Sequence, residues 1–191
     1  MLLEPGSRDV VVVAGLPGAG KTTLAAAEPR ALDSDHVRAA WAPRLRRIPY
    51  PLWRPLAHAW HWLLLWRALG RAEGVVVVRP FTARWMRRAV LRRARRRHPA
   101  VHLVVVAATP AQARVGQAER GRVVGDRAMR RHERRWAAAD LAAEGWTSVL
   151  VAARSRATLS PLSAEARSPG RASGARRPRK EAALTLTSIA G

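Results

Sequence analysis

Short apolar runs alternate with longer mixed stretches along this chain. Residues 9–14 (DVVVVA), 73–78 (EGVVVV), 101–108 (VHLVVVAA) and 147–153 (TSVLVAA) are apolar almost throughout and rich in valine. Continuous apolarity fits strands buried on both faces, as in a parallel sheet covered by helices. A weaker run at 30–35 (RALDSD) predicts one more strand between the first two. The stretches between are long enough for crossover helices. The expected fold is therefore α/β, a three-layer sandwich with about five parallel strands.

Two of the mixed stretches carry most of the aromatic and basic side chains. Residues 41–72 hold five of the eight tryptophans. Leu56, Trp60, Leu63 and Arg67 recur there at helical spacing and predict the face that packs on the core. Trp62, Leu65, His58 and His61 fall elsewhere around the same helix. That surplus could line a pocket or stack on a base; the plainer reading is a bulky helix closing the core. Residues 82–99 carry eight arginines and no acid. Trp85, Met86, Ala89, Val90 and Ala94 would form its apolar face, with Arg87, Arg88, Arg92, Arg93 and Arg95 to Arg97 on the remainder. This reads as a crossover helix whose field suits nucleic acid or an anionic membrane.

From about residue 155 the pattern stops. SRATLSPLSAEARSPGRASGARRPRK lacks apolar periodicity and is rich in Ser, Pro, Gly, Ala and Arg. Residues 1–153 are thus expected to form one domain and residues 154–191 a flexible basic tail. The net charge of +22 makes polyanions natural partners. Coding bias toward arginine accounts for part of it, since Lys21 and Lys180 are the only lysines. With no cysteine, disulfides, thiolate metal sites and Cys nucleophiles are excluded. The opening MLLEPGSRD lacks a signal pattern and no apolar run reaches membrane-spanning length, so a cytoplasmic protein without a transmembrane segment is expected.

Against that background Lys21 stands out. GLPGAGKT, residues 15–22, matches G-x-x-x-x-G-K-[ST] between a predicted buried strand and a helix-compatible TTLAAAE. The glycines allow backbone N–H groups to converge on phosphate oxygens, and the helix N-terminus adds partial positive charge. A slender ammonium reaches the outer phosphates where a planar guanidinium would fit differently. Gly15, Gly18, Ala19, Gly20, Lys21, Thr22 and Thr23 are the candidate nucleotide contacts, with ATP as the nucleotide and Thr22 a ligand for Mg²⁺. LDSDHVR then places Asp33 and Asp35 at the end of the weak second strand. One carboxylate can support the hydrated Mg²⁺ while the other orients or deprotonates a hydroxyl, and Arg38 can clamp an anionic acceptor. The alternative is a helix-capping acid before a solvated arginine.

GLPGAGKTT followed by LDSDHVR resembles the small P-loop kinase group, which includes polynucleotide kinases, zeta-toxin-type kinases and bacterial AAA-type ATP-binding proteins. The resemblance spans roughly residues 9–153 and is sharpest at the phosphate loop. It implies that Asp35 is the base and Arg38 an acceptor contact, with Thr22 and Asp33 on the metal. AQARVGQAERGRVVGDRAMRRHERRW (111–136) is similar to the arginine-bearing lid of these proteins, which nominates Arg120 and Arg122. Thr109, Pro110 and Gln112 predict where the lid's first helix starts. P-loop proteins usually carry an acid after the third core strand; here VVVVRPF has Arg79. Either Asp33 or Asp35 then carries the metal alone, or nucleotide chemistry is weakened. The implied activity is phosphotransfer from ATP to a hydroxyl of a small molecule or a nucleic-acid end. The alternative is a nucleotide-dependent nucleic-acid-binding protein or a weak ATPase.

Overall fold

The structure, a computed structural model, describes residues 5–121 and 124–153. The proposed tail at 154–191 and Arg122 lie outside the described residues. Every run expected to be a strand is one: β1 (Val10–Gly15), β2 (Ala31–Asp33), β3 (Val75–Val78), β4 (Val101–Ala107) and β5 (Ser148–Ala153). All pairings are parallel and the spatial order is β2-β3-β1-β4-β5. Central β1 pairs from Val10↔Val75 on one side and from Val10↔Val101 on the other.

The six helices are α1 (Lys21–Leu24), α2 (Ser34–Trp41), α3 (Tyr50–Ala68), α4 (Arg84–Ala94), α5 (Pro110–Ala118) and α6 (Asp126–Ala137), among the described residues. A strand directs successive side chains to opposite faces. Val10, Val12 and Ala14 therefore meet Leu65 and Leu69 at the end of α3 and Val90, Leu91 and Ala94 of α4. Val11 and Val13 meet Leu24 and Ala25 beside α1, Ala113 of α5 and Met129 of α6. Both faces are covered, which is why the strands read as unbroken valine.

The helices depart from expectation in three places. Helix α1 is a single turn that ends at Leu24, with Ala25 as its cap, and does not run on to Glu28. The core-facing stripe of α3 is Trp53, Ala57, His61 and Leu65, whereas Leu56, Trp60 and Leu63 are exposed. The stripe steps by four residues from Trp53, and the spacing-based choice began one register off. Helix α4 likewise buries Arg87, Val90, Leu91 and Ala94 and leaves Trp85 exposed. Trp85 instead stacks on Trp62 of α3, ring centroids 6.0 Å apart.

Arg87 is the reason for that rotation. Its guanidinium forks onto Glu144, in a turn at Ala142–Glu144, at 2.6 and 2.9 Å. It also donates to the carbonyls of Phe81 and Thr82 at 2.9 and 3.0 Å, and it lies over the Trp136 ring of α6 at 5.2 Å. Trp146 Nε1 donates to the same Glu144 carboxylate at 3.1 Å. Phe81 is buried at φ 45°, a left-handed conformation costly for a residue with a side chain. Arg87 thus pins the strained segment that follows β3.

Removing one member of a buried ion pair strands the other charge. Glu144→Ala should lower the unfolding free energy by about 3–5 kcal/mol, read from urea denaturation followed by circular dichroism. The double change Arg87→Met with Glu144→Leu should restore part of that loss. Unchanged stability in Glu144→Ala would remove this pair from the account of the fold.

Candidate active site

Strand β1 ends at Gly15 and the chain loops through Leu16–Gly20 into α1. Gly18 sits at φ 86°, and any Cβ there would collide with the Ala113 carbonyl of α5. Gly20 begins α1 from a left-handed conformation at φ 97°. The loop therefore lies tight against α5 and opens on its other side. Lys21 is buried, its Nζ donating to the carbonyls of Leu16 at 2.7 Å and Gly15 at 3.3 Å. Gly18, Gly20, Lys21 and Thr22 line the cleft; Gly15, Ala19 and Thr23 do not. The Ala19 N–H closes a turn onto the Leu16 carbonyl, so Ala19 contributes loop shape.

Thr22 Oγ1 donates to Asp33 Oδ2 at 2.6 Å. The other oxygen, Asp33 Oδ1, accepts the Asp35 N–H at 2.8 Å and caps α2. Asp33 is thus both the cap of α2 and the partner of the loop threonine. Helix α2 starts at Ser34, which puts Asp35 in its first turn and Arg38 one turn on. Both line the cleft. No cluster of three or more His, Asp or Glu ligands occurs among the described residues. Mg²⁺ takes one or two protein oxygens and completes its shell with phosphate and water, and the Thr22 hydroxyl lies 2.6 Å from the Asp33 carboxylate. Thr22 and Asp33 fit that donor set.

Of the two arginines nominated in the lid-like stretch, Arg120 is among the described residues and reaches the loop. Arg120, just beyond α5, reaches Thr22 Oγ1 at 3.4 Å, Thr23 Oγ1 at 3.5 Å and Asp35 Oδ2 at 3.9 Å. Arg114 points away and pairs with exposed Asp126 at 3.1 Å. The capping box at Thr109 and Gln112 forms as expected. Gln117, absent from the sequence reading, staples the lid: it donates to the Pro17 carbonyl at 2.9 Å and accepts the Val124 N–H at 2.7 Å. An uncharged residue in an arginine-rich stretch carries no signal of that role.

Opposite the loop, the cleft is walled by Arg54, Ala57, His58 and His61 of α3 and by residues 78–82. It encloses about 620 Å³, within the range of small-ligand sites. Arg79 is buried in the floor; it donates to His58 Nδ1 at 2.9 Å and lies 5.1 Å from the Trp62 ring centroid. Burial lowers its pKa to about 10, which leaves it charged at neutral pH. His61 is pushed down to about 4 by burial first, then by Arg79 and His58, against a raising effect from Asp35. His58 is lowered by burial and by Arg79 and Arg54. His132 of α6 faces Thr82 Oγ1 at 2.8 Å and is lowered by burial and by surrounding cations that include Lys21. His58 and His61, placed by spacing away from the expected core face of α3, wall the cleft.

A family model described as AAA domain matches residues 10–145. Among solved structures, a candidate kinase from Chloroflexus aurantiacus superposes with a TM-score of 0.55 at 16% identity, over 78% of this chain and 86% of that one. A sugar kinase from a Janibacter species gives 0.43 at 18% identity, over 78% and 87%. No curated protein matches the sequence. The first superposition shows the same fold of five parallel strands and flanking helices.

The buried neutral His61 makes stability depend on pH with a definite sign. Above about pH 6.5 the ring is neutral in both the folded and the unfolded chain and adds nothing. Between there and about 4, the unfolded chain takes up a proton that the folded one refuses, so stability falls. His61→Leu should flatten that part of the profile, measured as urea midpoints from pH 7.5 to 4.5. Parallel curves for the two proteins would contradict the neutral assignment.

Proposed function

The chain belongs to the AAA domain family and is P-loop kinase-like, and from that premise we propose that it is an ATP-dependent phosphotransferase. In this reading it moves the γ-phosphate of ATP to a hydroxyl of a small molecule. One observation carries the reading most: the Thr22 hydroxyl, bonded to Asp33, lies under Arg120, while Asp35 faces the same arginine from α2. Phosphate cradle, metal donors, lid cation and a second carboxylate thus meet in one cleft.

Each residue then has a distinct task. The loop amides and Lys21 hold the outer phosphates, Lys21 exchanging its present carbonyl partners for phosphate oxygens. Thr22 and Asp33 would hold Mg²⁺, which neutralises charge on the phosphates when bound. Arg120 lies where it can stabilise charge spread over the transferring group. Asp35 orients the acceptor hydroxyl and takes its proton as the new oxygen–phosphorus bond forms and the bond to the ADP oxygen breaks. Arg38, one turn from Asp35, anchors the acceptor. Lid closure excludes water and so favours transfer over hydrolysis. Dependence on ATP suits the cytoplasm, and no described helix is long and apolar enough to cross a membrane.

A second reading rests on the exposed side of α4 and the turn after it. Arg84, Arg88, Arg92 and Arg95 to Arg97 all face solvent there, a row suited to nucleic-acid phosphates. Oligonucleotide binding that falls steeply with salt and ignores Asp35→Asn would favour it.

The first test is calorimetry of Mg-ATP binding. The wild type should bind in the micromolar range, on the order of −8 kcal/mol, and Lys21→Ala should lose at least about tenfold in affinity. No binding by the wild type would sink the phosphotransfer reading. In an acceptor screen, Asp35→Asn should cut transfer by about 10²–10⁴-fold with ATP affinity within about twofold; persistent transfer would remove Asp35 from the role of base.

A further inference from the structure

Arg79 occupies the end of β3, where the resemblance leads one to expect an acid, and its surroundings show what it is built to meet. The side chain is 7% exposed, yet among the described residues it meets an imidazole nitrogen and an indole face, not a carboxylate. Its Nη1 lies buried without a hydrogen-bond partner. His61, one turn from His58 on α3, is 1% exposed with neither ring nitrogen bonded. Both residues line the cleft. Buried polar groups normally find partners, and a buried guanidinium without an anion is costly. Donors left open at the floor of a cleft are thus suited to a ligand.

The charge balance says which kind. Lys21, Arg38, Arg54, Arg79, Arg120 and Arg135 line the cleft against Asp33 and Asp35. In the phosphotransfer reading, on which this inference rests, Lys21 and Arg120 serve the nucleotide and Asp33 the metal. The far side keeps Arg38, Arg54, Arg79 and Arg135 against Asp35 alone. His58 is held between two of these cations, with Nδ1 facing Arg79 at 2.9 Å and Nε2 facing Arg54 at 3.3 Å. Trp62 backs the Arg79 guanidinium and fixes its plane.

We propose that the acceptor carries an oxyanion, a phosphate or a carboxylate, beside the hydroxyl that is phosphorylated, and that Arg79, Arg54 and His61 seat it. Arg79 Nη1 and a His61 ring nitrogen donate to its oxygens from the floor, and Arg54 closes on it from the rim. The arginine after β3 is then an acceptor-recognition residue, and the metal is left to Thr22 and Asp33.

The test uses the full chain saturated with Mg²⁺ and a non-hydrolysable ATP analogue, so that the phosphate loop is filled. Inorganic phosphate and acetate are then titrated separately by calorimetry. At least one should bind in the millimolar range, and which binds tighter tells phosphate from carboxylate. Arg79→Gln should weaken that binding about tenfold or more, and Arg54→Gln, at an exposed position, about threefold or more, with analogue affinity unchanged in both. Should Arg79→Gln not fold, by circular dichroism, Arg54→Gln decides alone. Analogue binding with neither anion bound, or anion binding indifferent to these variants, overturns this proposal and leaves the phosphotransfer reading standing. Failure of the analogue to bind overturns both.

Discussion

The carboxylate of Asp33 is the joint on which the site depends. One oxygen takes the Thr22 hydroxyl and the other takes the amide that starts α2. A single buried side chain thereby couples the phosphate loop after β1 to the helix after β2, although β3 lies between those strands in the sheet. The bond also fixes where Asp35 and Arg38 stand relative to Lys21. A carboxylate with both oxygens engaged is held in one rotamer, and the groups bonded to it share that rigidity.

A second joint keeps the opposite wall in place. The segment after β3 leaves the sheet through Arg79, Pro80 and the left-handed Phe81, and it would relax without restraint. Arg87 supplies the restraint through two backbone carbonyls and Glu144. The two joints act on opposite sides of the cleft and use opposite logic. Asp33 ties together cleft-lining groups of two segments, whereas Arg87 lies outside the cleft lining and holds the strained backbone that follows Arg79. An arginine-rich sequence thus uses its arginines in different ways: Arg87 as a buried brace, Arg79 buried in the cleft floor, Arg120 across the mouth of the phosphate loop, and a row in solvent.

The sheet could be read from sequence because burial on both faces writes itself as uninterrupted valine. The phosphate loop could be read because close backbone approach at Gly18 and a left-handed backbone at Gly20 favour glycine at both. Asp33 and Asp35 were legible through their place after a strand, and Arg120 through its place in a lid-like stretch. The helix faces were less so. Helix α3 is apolar nearly all round, so no periodicity singles out Trp53, Ala57, His61 and Leu65 from Leu56, Trp60 and Leu63. Arg87 looked like one arginine among eight, because its burial depends on Glu144, far along the chain. Gln117 and Arg79 gained meaning only from what the fold brings near them. The local code marks backbone constraint and burial; it does not mark pairings between distant segments.

The strand order has a consequence for how the protein is made. Val10–Gly15 is the middle of the sheet, yet its neighbours, the runs at 75–78 and 101–107, are both made after it. Until both emerge, an apolar strand with two open edges has no partner, a state prone to association with other chains. Gly15 closes onto Val106 and Gly18 rests against Ala113, so the phosphate loop cannot take its shape before β4 and α5 exist. The loop is thus made before these neighbours but shaped only after them, and its formed state reports that the sheet has closed around β1.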